Sequence, residues 1–431
     1  MRNWTETPGY PVVTVKKVKQ GYQLTQEGFA IDSEDTKWWI PITYTGESHP
    51  DFNDTLSYDW IPPNEEPFIL NNSETKGWVV FNIQQVGYYR VNYEIENWKL
   101  LIKELNKGNN TKIHPVNRAQ IVDDTFSLAR AERLNYTVAF DVSLFLTHEA
   151  DYIPWQSAFR HLGFLQNLLR TSKNYYIFRR YVAYLMKTLT KNVGYEPKAN
   201  DSDLVKMLRV DTIKWACEAG VKECTFYAKK TYQQWIENPL KKKASRNEWF
   251  DTLEYIITSN LDEDDKKDLL MALACSNSSE ILMTYLTLTF EPGYPIDFKT
   301  GVKNVLSKYP AGVELVSKFL SKEDKRIRPN LYPKMIRIAE ALGRTITNEQ
   351  QFLNLSKFCH NNKLMQQLEI ATRKATANLI WINKYKSTVD KWLSANSRLF
   401  KSSDSGGNIA SSMVTASVSH CSSFDCTKEE L

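Results

Sequence analysis

The spacing of apolar positions changes once along this chain, and the change divides it. Over residues 10–94 the apolar residues come in short runs. These are Tyr10-Pro11-Val12-Val13-Thr14-Val15, Trp38-Trp39-Ile40-Pro41-Ile42-Thr43-Tyr44, Phe68-Ile69-Leu70, Gly77-Trp78-Val79-Val80-Phe81-Asn82-Ile83 and Gly87-Tyr88-Tyr89-Arg90-Val91-Asn92-Tyr93. They are rich in β-branched and aromatic residues, and Gly, Asn and Pro punctuate them. Short strands between turn formers predict a small β-sandwich.

After Tyr93 the period becomes helical. Ile121, Val122, Thr125, Phe126, Leu128 and Ala129 fall on one helix face. Asn117, with Gln120 three residues on, reads as a capping-box-like start for that helix. Pro154-Trp155 reads as a second start, with proline in the first turn. The same spacing predicts helices over 138–146, 158–169, 204–219, 225–237, 249–258, 266–274, 279–289, 336–342, 349–359 and 364–382. Helix pairs with short links recur without a residue-level repeat, as in HEAT- or armadillo-like arrays. From Ser397 the chain is Ser-rich and contains Gly406-Gly407, which predicts a disordered tail. The expected architecture is α+β and multidomain: a β-sandwich over 1–94, an all-α domain over 95–396 and a tail over 397–431.

Composition supports packed cores and removes several functions. Hydrophobic residues make up 42% and aromatic residues 12% of the 431, so the chain is neither disordered nor collagen-like. Its 55 basic and 50 acidic residues nearly balance, and Lys241-Lys242-Lys243, after Pro239, reads as a solvated loop. No nucleic-acid partner is expected. No apolar run approaches the roughly 18 residues of a membrane-crossing helix, so no membrane insertion by this chain is expected. Met1 is followed by no apolar leader, and the C-terminus lacks a GPI-type hydrophobic tail. Eight Asn-x-Ser/Thr tripeptides begin at Asn3, Asn53, Asn71, Asn109, Asn135, Asn200, Asn277 and Asn354, and argue for an extracellular face.

Catalytic motifs are scarce. A zinc peptidase needs two His at i and i+4 on one helix face, with a Glu beside the first as general base. The nearest match, His148-Glu149-Ala150-Asp151-Tyr152, has Tyr152 at the second His position. No Gly-x-Ser-x-Gly elbow and no Gly-rich phosphate loop occurs. Asp123, Asp124 and Asp151 read as structural carboxylates, with Arg118 or Arg130 as partners for the first two. His420, Cys421, Asp425 and Cys426 lie in the low-complexity tail, which offers no scaffold for a metal. The terminal Lys428-Glu429-Glu430-Leu431 resembles an ER-retention signal but has no leader to act with. Cys217 and Cys224 have the spacing of a local disulfide or of two buried thiols. Gly220, between them, suits the left-handed turn that ends a helix.

Six blocks together resemble one family. They are Trp4…Gly9-Tyr10-Pro11-Val12, Gly87 to Tyr93, Asn117 to Asp124, Asp151 to Trp155, Trp215 to Cys224, and Ala377-Asn378-Leu379-Ile380-Trp381. In this order they resemble the C-terminal half of the M1 zinc metalloaminopeptidases, nearest the aminopeptidase N branch, over residues 1 to about 396. The resemblance implies a β-sandwich third domain and a helical fourth domain that closes over the peptide chamber. Met1 falls where the catalytic domain would have ended. The single zinc ion, its ligands and the peptide-cleaving chemistry would all belong to that domain, and peptide substrates would be engaged through it. No metal, cofactor or catalytic residue is therefore expected in this chain.

The signature residues Tyr89, Arg90, Asn92, Tyr93, Asn117, Arg118, Gln120, Asp123, Asp124, Pro154 and Trp155 are expected to be structural and to mark a hinge between the two domains. The resemblance also implies the Cys217–Cys224 disulfide, and leaves room for a homodimer through the helical domain. It places the parent protein on the extracellular face of the plasma membrane or in the secretory pathway. In relatives Cys275 pairs with an upstream cysteine. Here the segment between Pro239 and Asn247 looks shortened, so a free Cys275 thiol is expected. Some relatives carry Gly-Thr-Arg ahead of the last long helix, where this chain has Leu364-Met365-Gln366 and so lacks that arginine. The alternative to a chamber-closing part is an inactive, peptide- or protein-binding glycoprotein.

Overall fold

The structure is a computed structural model that describes residues 2–6, 8–29, 36–64, 66–71, 76–108, 111–236, 248–259, 261–291, 294–309, 311–322, 338–361 and 365–400. A short helix α1 (Arg2–Glu6) precedes eight strands: β1 (Pro11–Val18), β2 (Gly21–Gly28), β3 (Ile40–Ile42), β4 (Tyr44–Gly46), β5 (Asp59–Ile61), β6 (Phe68–Asn71), β7 (Val79–Phe81) and β8 (Arg90–Tyr93). They form one four-stranded sheet in the order β6-β2-β1-β8 and two ribbons, β3-β5 and β4-β7. Strand β1 runs antiparallel to β2 and parallel to β8. The Tyr22 ring of β2 lies edge-on to Phe81 of β7, with centroids 5.6 Å apart. Trp38, Trp78, Leu24, Val13, Phe81 and Val91 fill the interior.

The other described residues are mainly helical: α2 (Ile95–Leu105), α3 (Pro115–Arg130), α4 (Tyr136–Ser143), α5 (Tyr152–Leu169), α6 (Tyr175–Leu185), α7 (Lys187–Val193), α8 (Asp203–Ala219), α9 (Lys222–Ile236), α10 (Glu248–Thr258), α11 (Glu263–Leu273), α12 (Ser279–Leu288), α13 (Phe298–Lys308), α14 (Gly312–Lys322), α15 (described over 338–345), α16 (Glu349–Asn361) and α17 (Met365–Asn396). This is the expected α+β fold with a large helical array. None of the described helices is long and apolar enough to cross a membrane.

Sequence reasoning missed several elements. Strands β2 and β5 carry too many polar residues to stand out, and one expected strand breaks at Thr43 into β3 and β4. Helix α6 is dense in aromatic residues, which are poorer helix formers than Leu or Ala. The chain continues to pack past Ser397: Phe400 is buried, 5.5 Å from the Tyr181 ring. Asn109, Lys241-Lys242-Lys243, Leu364, His420, Cys421, Asp425, Cys426 and Lys428 to Leu431 lie outside the described residues.

Contacts divide the chain into two compact units, one of residues 1–163 with 185–192 and one of 164–184 with 193–431. In the second, an apolar core gathers Trp249, Leu270, Tyr285, Leu286, Val302, Phe319 and Leu342. Cys217 and Cys224 are disulfide-bonded with Cα atoms 5.2 Å apart, around the left-handed Gly220 that caps α8. The expectation of a free Cys275 is overturned: Cys275 is disulfide-bonded, and the only free cysteine among the described residues is the buried Cys359.

Candidate functional site: a polar seam between strands and helices

Short strands leave backbone N–H and C=O groups on their open edges, and a buried edge must find partners for them. In the first unit those partners are side chains. Among the described residues strand β7 pairs with β4 on one side only. On its other side, Asn97 of α2 donates to Val79 O and accepts from Val79 N, both at 3.0 Å, as a neighbouring strand would. Phe81 N donates to the Tyr93 hydroxyl at 2.9 Å, and Phe81 O accepts from Gln120 at 3.2 Å. Among the described residues strand β8 pairs only with β1, and its Val91 N donates to Asp124 of α3 at 3.0 Å.

The turn between β7 and β8 is built around Asn82, buried and left-handed at φ 61°. Its side chain accepts from Gly87 N and donates to Gly87 O, both at 2.9 Å, and also donates to Tyr89 O at 3.1 Å. Gly87 is required there, because a Cβ would lie 2.2 Å from the Tyr89 ring. Tyr89 then reaches Pro41 O at 3.0 Å, tying β8 to β3.

Asn117 is not the cap of α3. His114 is the N-cap and Pro115 the first helical residue. Proline opens the helix because its missing N–H is not needed there. Asn117 is the third residue of the helix, fully buried. It donates to Asn82 O at 3.0 Å and to Gln120 Oε1 at 2.7 Å, and accepts from Gln84 N at 2.9 Å. The Asn117/Gln120 pair seen in the sequence therefore docks α3 onto the β7–β8 turn.

Asp123 and Asp124 meet neither of their expected partners. Arg118 and Arg130 are five to seven residues away along α3, whereas same-face neighbours on a helix lie three or four apart. The partners come from other elements. Arg90 donates to Asp123 at 2.5 Å and to Asp124 at 3.0 Å. Asp123 also meets Arg160 and, at 2.7 Å, His161, both of α5. Arg90 is further held by the Tyr10 hydroxyl at 3.1 Å and lies over the Phe29 ring.

The environment pulls the two carboxyls apart. Burial pushes Asp124 up to about 7, with Asp123 adding to the shift against the opposing pull of Arg90. Burial also disfavours the Asp123 carboxylate, but its bond with His161 and the charge of Arg90 outweigh that and hold it well below the carboxylate range. Burial pushes His161 below its ordinary value, against the pull of Asp123. Burial raises Tyr89 and Tyr93 far above the usual phenol range.

The remaining signature residues brace the same junction. Arg118 forks onto Glu149 at 2.6 and 3.1 Å. Trp155, one residue after Pro154 in the first turn of α5, donates to Glu149 O at 3.0 Å. Asn92 accepts from Trp98 Nε1 at 3.3 Å. This dense bonding is the opposite of a hinge, which needs few constraints. Asn82, Asn97, Glu149, Arg160 and His161 were not singled out beforehand as parts of this junction. Their partners are mostly distant in sequence, so no local spacing announces them.

The described residues offer no ligand set for a catalytic zinc ion. Among the described residues no group of three His, Cys, Asp or Glu could hold a metal. In the near-miss motif, Glu149 is committed to Arg118 and accepts from Ala150 N and Asp151 N, both at 2.9 Å. Its carboxylate is thus held by four protein N–H donors, three on Oε1 and one on Oε2.

Residues 78–379 match the family model of the ERAP1-like C-terminal domain. The chain is 28% identical to aminopeptidase N of Plutella xylostella over 431 residues, covering 92% of this chain and 45% of that protein. It is 29% identical to aminopeptidase N of Mus musculus, covering 92% and 44%. With the thyrotropin-releasing hormone-degrading ectoenzyme of Rattus norvegicus it shares 28%, covering 91% and 40%. The chain thus spans less than half the length of these relatives.

Proposed function

Because this chain belongs to the ERAP1-like C-terminal domain family, we propose that it is the non-catalytic C-terminal portion of an aminopeptidase N-like M1 metallopeptidase. The parent activity is zinc-dependent release of N-terminal residues from peptides. Zinc and the general base reside in sequence that this chain does not span, and the helical array closes over and shapes the peptide chamber. Closure of this kind excludes water from a reacting centre and commits the substrate. The parent protein works at an extracellular face, as the ectoenzyme among its relatives suggests.

The observation that carries this reading is the family match over residues 78–379 in a sequence without a His-Glu-x-x-His motif. The polar seam supports it by giving the signature residues structural work. In the parent, the seam keeps the sandwich and the first helices in fixed register. The test is metal analysis of the purified full chain together with an aminoacyl-amide hydrolysis assay. The expected outcome is no stoichiometric zinc and no hydrolysis. Stoichiometric zinc with bestatin-sensitive turnover would refute the reading.

A further inference from the structure

The eight Asn-x-Ser/Thr tripeptides are equivalent in sequence but not in the fold. Five have the side chains of all three residues described: those at Asn53, Asn135, Asn200, Asn277 and Asn354. Four of these place the asparagine at the surface, outside or at the very start of a helix. Asn53 is exposed in the turn between β4 and β5, its own N–H held by Asp51 at 2.8 Å, and no bond engages its side chain. Asn200 is exposed two residues ahead of Ser202, the N-cap of α8. Asn277 is exposed one residue ahead of Ser278, the N-cap of α12. Asn135 is itself the N-cap of α4. Its Oδ1 accepts from Thr137 N at 2.9 Å, which leaves Nδ2 free on an exposed residue.

Asn354 is different. It lies inside α16, only half exposed, and accepts from Gln350 at 3.0 Å. In a helix, side chains two apart do not face each other, so Asn354 and the Ser356 hydroxyl cannot approach. Between them Leu355 is buried in the apolar core.

We propose that Asn53, Asn135, Asn200 and Asn277 carry N-linked oligosaccharides and that Asn354 stays bare. In this transfer, Nδ2 of the asparagine attacks the anomeric carbon of an oligosaccharide linked to a lipid diphosphate. The new N–C bond replaces the C–O bond to phosphate. The nitrogen loses one proton, and the lipid diphosphate leaves with the electron pair. No oxidation is involved. The hydroxyl two residues on must reach the acceptor amide, which a turn or helix start permits and a helix interior does not. A finished glycan must also project into water, because its hydroxyls cannot be buried without partners.

The proposal rests on the extracellular reading above, and its test separates the two. Occupancy is read by peptide mass mapping after enzymatic deglycosylation in heavy-oxygen water, which marks each formerly glycosylated asparagine as labelled aspartate. The full chain is taken from its native source and, separately, from secretory cells that express it behind a cleavable leader. The expected result is label at all four sites in both samples and none at Asn354. Thr55→Ala and Thr137→Ala each remove one glycan's mass and leave the other sites unchanged. Label at Asn354 equal to that at the other four, or none at those four in the leader-directed chain, overturns the proposal through its geometry. A bare native chain beside a leader-directed chain labelled at the four overturns it through the extracellular reading instead.

Discussion

The two compact units meet the same demand by opposite means. In residues 1–163, strands of three or four residues are too short to satisfy one another, and the polar groups left over are closed by Asn97, Tyr93, Gln120 and Asp124. In the array around Trp249, Leu286 and Phe319, each helix satisfies most of its own backbone, and the interior is mainly apolar, with isolated polar side chains such as Asn304 and Gln351. A helix interior needs only side chains of the right volume. A strand edge needs a particular donor or acceptor at a particular place. Substitutions should therefore be judged by different rules in the two regions.

The largest expected contrast sets Asp124→Ala against Leu286→Met. Removing the Asp124 carboxylate strands the Val91 N–H and strips Arg90 of one of its two carboxylate partners in a buried site. Breaking a buried pair this way costs about 3–5 kcal/mol. The Leu286 side chain is just as buried, but an apolar swap of similar volume costs less than about 1.5 kcal/mol. Denaturant unfolding of the two variants measures both. Equal losses would remove the distinction between the regions.

A comparable effect comes from Asn97→Ala. It leaves the N–H and C=O of Val79 without partners, at about 1–3 kcal/mol each. Replacement by Gln adds one methylene but keeps the amide, and should recover part of the loss. If Ala and Gln weaken the fold equally, packing rather than edge closure is what Asn97 supplies.

The same difference explains what could be read from the chain in advance. Helices α8, α10 and α12 were legible because their apolar spacing is local. The signature blocks were visible as well, but their roles were not. Arg90 and Asp123 are 33 residues apart, and Asp123 and His161 are 38 apart. A sequence exposes pairs three or four residues apart and hides pairs made by folding. That is why Asn117 read as a helix cap and Asp123 was assigned partners on its own helix. Gly87 was visible only as a turn former. Its reason, the Tyr89 ring pressed against its Cα, appears once the turn is closed.

The finest test of the seam is its response to pH. Asp124 ionises near 3.9 in an unfolded chain and near 7 in the fold. Between those values the folded state holds one more proton than the unfolded one. Its contribution to stability is therefore fully present below the unfolded value and declines as pH rises toward 7, by at most about 1.4 kcal/mol per pH unit. His161 acts in the other direction: its folded value lies below 6.5, so its contribution is present above that pH and is lost as pH falls. Asp123, held low, matters only in stronger acid. Arg90 stays charged throughout, and burial lifts Tyr89 and Tyr93 far above the window. Asp124→Asn removes the first term and keeps His161, so the wild-type curve minus the variant curve isolates Asp124. That difference should shrink from pH 5 to pH 7 and stay level from 7.5 to 9. A difference that is level across the whole range would mean that Arg90 and the Val91 N–H keep Asp124 ionised against the cost of its burial. The seam would then be a fixed set of ion pairs, as indifferent to mild acid as the apolar core.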